Sequence, residues 1–266
     1  MSALAAYVNA IGVRGPGLPD WPGLAAVLRG EQDYVAAPTT LPPPEELAPT
    51  ERRRTGRVVR LALAVGFEAT RRRGIAPAAL PVVFSSSGGD GDNCDAICQT
   101  LASSNRALSP TRFHNSVHNA PAGYWSIAAA AQVPTTTLCA YDASFGAGLL
   151  EAMAQLASSH QETALIAYDL DYPPPLKAVR PTLAPFAVAL ILSTTPGEGS
   201  LARIDVRLDH GARDRCSNPE LEVLAAGIPA ARALPLLEAI ATGRAANVAV
   251  GYLDPAILSI AVAPCR

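Results

Sequence analysis

The residues Ala5–Val13 (AAYVNAIGV) alternate between apolar and small or polar positions and predict a strand. A loop of Gly, Pro and Trp (Gly15–Pro22) follows, then a short helix at Leu24–Arg29. Five prolines in Ala36–Pro49 rule out regular structure and predict an irregular arm. Thr50 is a candidate N-cap for a helix running to about Arg73, with Val58, Leu61, Val65 and Ala69 on one face and three arginines in its last turn. The apolar run Leu80–Ser85 predicts a buried strand. It ends in the small-residue loop SSSGGDGD (85–92), followed by a helix over Asp95–Ser103. A loop around Ser109–Phe113 leads to a helix over His118–Ala131. The β-branched stretch Thr135–Ala140 predicts a strand that turns at Tyr141–Ser144 into the Ala-rich helix Phe145–Ser159. Further strands are predicted at Thr163–Tyr168, Ala184–Ser193 and Leu201–Leu208, then a helix at Ala231–Thr242 and strands at Ala246–Gly251 and Ile257–Val262. Such alternation of strands and helices indicates α/β layers.

Composition narrows the function classes. The 266 residues carry 21 basic and 23 acidic side chains, so a strongly basic nucleic-acid-binding surface is not expected. Apolar residues make up 49% and charged ones only 17%, which suggests that part of the apolar surface is covered by a companion chain. No apolar run reaches the roughly 18 residues of a membrane span, and Met1–Val13 lacks the basic start and long apolar core of a secretory signal. A cytoplasmic location is the reading. Five cysteines, at 94, 98, 139, 216 and 265, do not suggest a disulfide framework in a chain with this much core.

Five clusters are candidates for chemistry. Cys94 and Cys98 are spaced i, i+4, but zinc requires four ligands and no second pair of suitable spacing follows; His114 and His118 share the i, i+4 spacing without the intervening glutamate of a zincin, so the cysteines are expected in the core and no metal or other cofactor is expected. The loop 85–92 has glycines enough to approach an anion, yet fits neither GxGxxG nor a P-loop, and a tight turn is the simpler reading. Arg52, Arg53, Arg54, Arg57 and Arg60 concentrate positive charge, either as a solvated face or as a docking surface for an acidic protein. In TTTLCAYDASFGAGLLEA (135–152), small residues crowd a strand-to-helix turn, leaving the helix N-terminus open, an arrangement suited to presenting a nucleophile or binding an oxyanion.

Three blocks in order resemble the β-ketoacyl synthases of the thiolase fold. VVFSSSGGDGD is similar to their strand and glycine-rich loop. SPTRFHNSVHNAPAGYWSIAAAAQVPTTTL (109–138) is similar to their F-x-x-S-x-x-N-x-x-A-G-x-x-S-I block through Phe113, Ser116, Asn119, Ala122, Gly123, Ser126 and Ile127. The third is the elbow. Matching its small residues and Glu151–Ala152 to T-A-C-S-S-S-A-x-A-x-G-E-A places Asp142 at the nucleophilic cysteine, with Cys139 three residues earlier and expected to be buried in the strand. RPTLAPFAVALILS (180–193) replaces the usual glycine-rich finger, and no second catalytic histidine or lysine has a match beyond a faint echo at His210–Gly211. A carboxylate forms no useful thioester and opposes an oxyanion, so condensation by this chain alone is not expected.

Synthase-like chains without the nucleophile are chain length factors, which pair with an active ketosynthase and shape the tunnel for the growing chain. The helix beginning ERRR-x-x-R-x-V-R-L-A-L (Glu51–Leu63) is most similar to those of aryl polyene and xanthomonadin-type pigment clusters. The resemblance implies a ketosynthase-like N-terminal half over 1–195 and a shortened C-terminal α/β portion over 196–266 in the same unit. It implies a pseudo-active site or tunnel at Tyr141, Asp142, Ser144 and Phe145, and a dimer interface at Asn119, Tyr124, Thr135, Thr136, Thr137, Leu138 and Cys139. Acyl carrier protein would meet Arg52, Arg53, Arg57 and Arg60. For Asp142 itself, capping of the helix it precedes is the expected role. The rival reading is an acyltransferase or hydrolase acting alone through Ser144 or Cys139 with His210.

Overall fold

The computed structural model describes residues 3–265. Among them, eight strands form one mixed sheet in the order β3-β2-β4-β5-β1-β6-β8-β7. The strands are β1 (Leu4–Arg14), β2 (Val82–Ser85), β3 (Thr135–Leu138), β4 (Thr163–Asp169), β5 (Phe186–Ser193), β6 (Ala202–His210), β7 (Ala246–Gly251) and β8 (Ala256–Pro264). β2 pairs in parallel with β3 and β4, and every other pairing is antiparallel. Every residue of β4 and β5 is buried, as continuous apolar strands must be when both faces of a sheet are covered.

The described residues also form ten α-helices: α1 (Trp21–Leu28), α2 (Pro49–Arg52), α3 (Arg57–Arg73), α4 (Gly91–Ala102), α5 (Pro110–His114), α6 (Ala120–Ala128), α7 (Ser144–Ser159), α8 (Pro174–Lys177), α9 (Pro219–Gly227) and α10 (Leu234–Ala241). One layer is built on α3 and α6, whose Val58, Leu61, Val65 and Trp125 pack with Phe84, Tyr168 and Ala189 from the sheet. On the opposite face, α7, α1, α9 and α10 bury Phe145, Leu149, Leu24, Leu221 and Leu237 against Ile11, Leu190 and Ile260. Two apolar cores thus flank the sheet. At Gly12 the α3 backbone comes so close that a Cβ would lie 2.2 Å from the Val65 carbonyl oxygen. Residues 202–264 extend the same sheet beyond β1 with β6, β8 and β7.

Several boundaries differ from the sequence expectation. The helix predicted from Thr50 to Arg73 is two helices. Thr55 turns its hydroxyl back to the Arg52 carbonyl, and Gly56 is extended before α3 begins, so the chain breaks between them. The predicted α3 face is buried, and Gly74, at φ 72°, ends the helix after its three arginines. The stretch predicted as a loop at Ser109–Phe113 is α5, with Ser109 as its cap. α4 begins four residues earlier than predicted because Asp90 caps it by accepting from the Asn93 N–H. Cys94 and Cys98 are exposed, not in the core, because α4 buries only Gly91 and Asn93 and the two cysteines lie on its outer side.

Candidate functional site

The chain leaves β3 through Cys139 and Ala140, makes one tight 3-10 turn at Tyr141–Ala143 and enters α7. Ser144 closes the turn: its buried hydroxyl donates to the Tyr141 carbonyl at 2.7 Å and accepts from the Ala140 N–H at 3.0 Å. Ser85, at the end of β2, donates to the Ser144 carbonyl. Small residues let α7 lie this close. A Cβ on Gly148 would sit 2.7 Å from the Ser85 Cβ, and one on Gly146 would sit 2.5 Å from the Gly251 carbonyl oxygen of β7. Tyr141 occupies the left-handed region at φ 52°, a conformation an aromatic residue keeps only where its surroundings impose it.

Those surroundings are ionic. The two carboxylate oxygens of Asp142 are divided between two arginines, Oδ1 accepting from Arg180 Nη2 at 2.8 Å and Oδ2 from Arg232 Nη2 at 3.1 Å. Arg180 also lies 3.6 Å from the centroid of the ring of Tyr141, which is exposed. Burial opposes the Arg180 charge, but the Asp142 hydrogen bond and charge outweigh it and hold its pKa above the ordinary value. Asp142 therefore does not cap α7 as expected; the helix has no side-chain cap, and its neighbouring carboxylate turns towards the arginines instead.

A second carboxylate fixes the surroundings of the elbow. Asp169, at the end of β4, is fully buried and accepts from the Ser87 N–H, the Ser87 hydroxyl and the Ala230 N–H, at 2.8, 2.6 and 2.8 Å. It joins the loop after β2 to the turn that carries Arg232. Burial raises its pKa to about 6, against the opposing hydrogen bonds and the Arg180 charge. The amides of Ser87 and Gly89 in the 85–92 loop point to Asp169 and to the Ser86 hydroxyl, so neither is free to meet an anion.

The residues singled out from sequence fall into distinct environments. Phe145 is in the core on the α7 side. Tyr124 is buried, donating its hydroxyl to Asn115 Oδ1. Asn119 is exposed, and Thr135, Thr136, Thr137 and Leu138 are half-buried on β3, which has a neighbour on one side only among the described residues. Cys139 is exposed, not buried: β3 ends one residue before it, and its thiol reaches the Ser87 carbonyl at 3.2 Å. Neither of the rival nucleophiles meets a base. Ser144 is buried with its hydroxyl engaged, and His210 lies exposed at the far end of β6. The arginines differ in their partners. Arg57 is paired with Asp92 and Asp171, Arg52 donates to the carbonyls of Glu45 and Leu47, and Arg60 donates to Thr55, while Arg53 is exposed. Among the described residues, no three His, Cys, Asp or Glu side chains gather as metal ligands.

Arg180, Arg232 and Asp169 were missed from sequence. Arg180 heads the segment that departs from the glycine-rich finger, which was the one available signal; Arg232 lies 90 residues from Asp142, and nothing local links them.

The profile of the β-ketoacyl synthase N-terminal domain matches residues 28–244. The chain belongs to the β-ketoacyl synthase family. No curated protein sequence matches this synthase-family chain. Its fold is that of solved ketosynthase assemblies. In the Xenorhabdus doucetiae complex of the ketosynthase ApeO with its chain length factor ApeC, a chain superposes with a TM-score of 0.72 at 22% identity, over 97% of this chain and 99% of that one. The ishigamide ketosynthase/chain length factor gives 0.73 at 16% identity, covering 98% and 100%. The AntDE:AntF complex, a type II polyketide acyl carrier protein with its ketosynthase, gives 0.74 at 10% identity over the whole of both chains. A thiolase-like, ketosynthase-type α/β fold is thereby the fold of this chain, and no helix among the described residues is long and apolar enough to cross a membrane.

Proposed function

We propose that this chain is a chain length factor: a non-catalytic subunit that pairs with an active ketosynthase in the cytoplasm and shapes the tunnel for the growing chain. The product class would be an aryl polyene-type polyketide or fatty acid, built on acyl carrier protein. One observation carries the reading. The position that aligns with the nucleophile is Asp142, and its carboxylate is engaged by Arg180 and Arg232. A carboxylate held by two cations is a poor nucleophile and forms no stable thioester. The full-length match to chains of ketosynthase and chain length factor complexes supports the partner assignment.

The pairing surface would be β3. Pro134 and Leu138 give their carbonyls to β2, so by the two-residue period Thr135 and Thr137 direct their backbone groups outward. An edge of this kind is a template for another strand. Arg53 is exposed and forms no ion pair among the described residues; Arg53→Glu is expected to weaken carrier binding and flatten its salt dependence, and unchanged binding would remove Arg53 from the docking surface.

The test is co-expression with a ketosynthase and carrier protein from the same gene cluster. A 1:1 complex whose product length shifts when this chain is varied supports the reading. Separate purification, with the ketosynthase giving unchanged products alone, overturns it. So would acyl-thioester turnover by the isolated chain that is lost in Cys139→Ala.

A further inference from the structure

The elbow carries more positive charge than its own carboxylate uses. Asp142 takes one N–H from each of two guanidiniums, a single-point contact on both sides. The Nε–H of Arg180 and that of Arg232 are buried without a partner, although a guanidinium fork is built for two parallel bonds to one carboxylate. Both guanidiniums, with Asp142, line a cavity of about 200 Å³ whose remaining wall includes Thr182, Gly227 and Pro229 and brings no further acid. At roughly 30 Å³ per water, that volume holds several waters or a small organic acid.

We propose that Arg180 and Arg232 form a carboxylate-binding site that this chain fills from within with Asp142, and that a free small carboxylate takes the same place when that side chain is removed. The inference deepens the reading of the elbow as silent and rests on it. The internal ligand ties the elbow to the Arg180 and 229–233 segments and keeps Arg180 stacked on Tyr141. Asp169 is a positioning residue for the site, since its bond to the Ala230 N–H fixes the turn from which Arg232 extends.

The experiment is thermal melting of the full chain carrying Asp142→Gly, in sodium acetate and in sodium chloride of equal ionic strength. Loss of the two contacts should lower Tm by roughly 3–6 °C in a chain of this length. Acetate should recover that loss saturably, by preferential binding to the folded state. Chloride should not recover it. Wild type and the Asp142→Gly/Arg232→Gln double variant should show no acetate-specific shift. Equal recovery in the two salts, or recovery that persists without Arg232, would overturn the proposal. If Asp142→Gly does not fold, Asp142→Asn and Arg232→Gln are compared singly and together. Losses that fall short of adding support a shared site, and strictly additive losses overturn it. This readout needs no ketosynthase, so it can fail while heterodimer formation succeeds, and the reverse.

Discussion

Asp142 and Asp169 are carboxylates with opposite surroundings. Asp142 faces two guanidiniums at the surface, whereas Asp169 is enclosed by neutral donors in the interior, and burial there lifts its pKa to about 6. The raised value fixes the sign of a pH effect. The folded chain holds the Asp169 proton more tightly than the unfolded chain, whose carboxyl titrates near 3.9. This group's contribution to stability is therefore fully present below about pH 4 and is lost as pH rises to about 6. The shift corresponds to a loss of order 2–3 kcal/mol. Urea denaturation between pH 4 and 7 should show this negative slope, and Asp169→Asn should remove it while lowering stability overall, because the Ser87 and Ala230 N–H groups reach different oxygens of Asp169 and the amide of Asn would set its NH2 against one of them. At the elbow, Asp142→Cys would place a thiol beside two guanidiniums and the uncapped start of α7. Its iodoacetamide reactivity should titrate below the ordinary thiol value of about 8.5 and move back up in Asp142→Cys/Arg232→Gln, without any gain of condensing activity.

Two of the helices that flank the sheet, α3 and α7, approach it at glycines. α3 crosses β1 where Gly12 leaves no room for a Cβ, and α7 meets β7 at Gly146 beneath the Gly251 carbonyl. In both cases the neighbour is backbone, which cannot rotate away. Gly12→Ala and Gly146→Ala should each cost about 2–4 kcal/mol by chemical denaturation, the upper range for overpacking. Gly146→Ala should also disturb the elbow, since it moves the first turn of α7. Periodicity revealed α3 and its buried face, because Val58, Leu61 and Val65 recur at helical spacing whatever they pack against; for α7 the Ala-rich composition revealed the helix and not its buried face. It did not reveal the break between α2 and α3. That break depends on the Thr55 hydroxyl bonding back to Arg52 and on Gly56 adopting an extended conformation, neither of which alters the pattern of apolar residues.

Across the whole molecule the sheet has one apolar core on each face, and the edge at β3 has no strand on its outer side among the described residues. Thr137→Pro removes an outward N–H and no bond to β2, so it should abolish co-purification with the ketosynthase while shifting the Tm of the isolated chain by only a few degrees. The sequence by itself determined the alternation of strands and helices, the elbow between β3 and α7 and the presence of Asp142 in its turn, because these follow from local periodicity, turn chemistry and a motif contiguous in the chain. Only the tertiary structure decided what that aspartate does. Arg180 and Arg232 reach it from segments 38 and 90 residues away, and Asp169 is buried where β2, β4 and the 229–233 turn converge. Charge pairing and desolvation depend on distance in space, and the order of residues along the chain does not encode that distance.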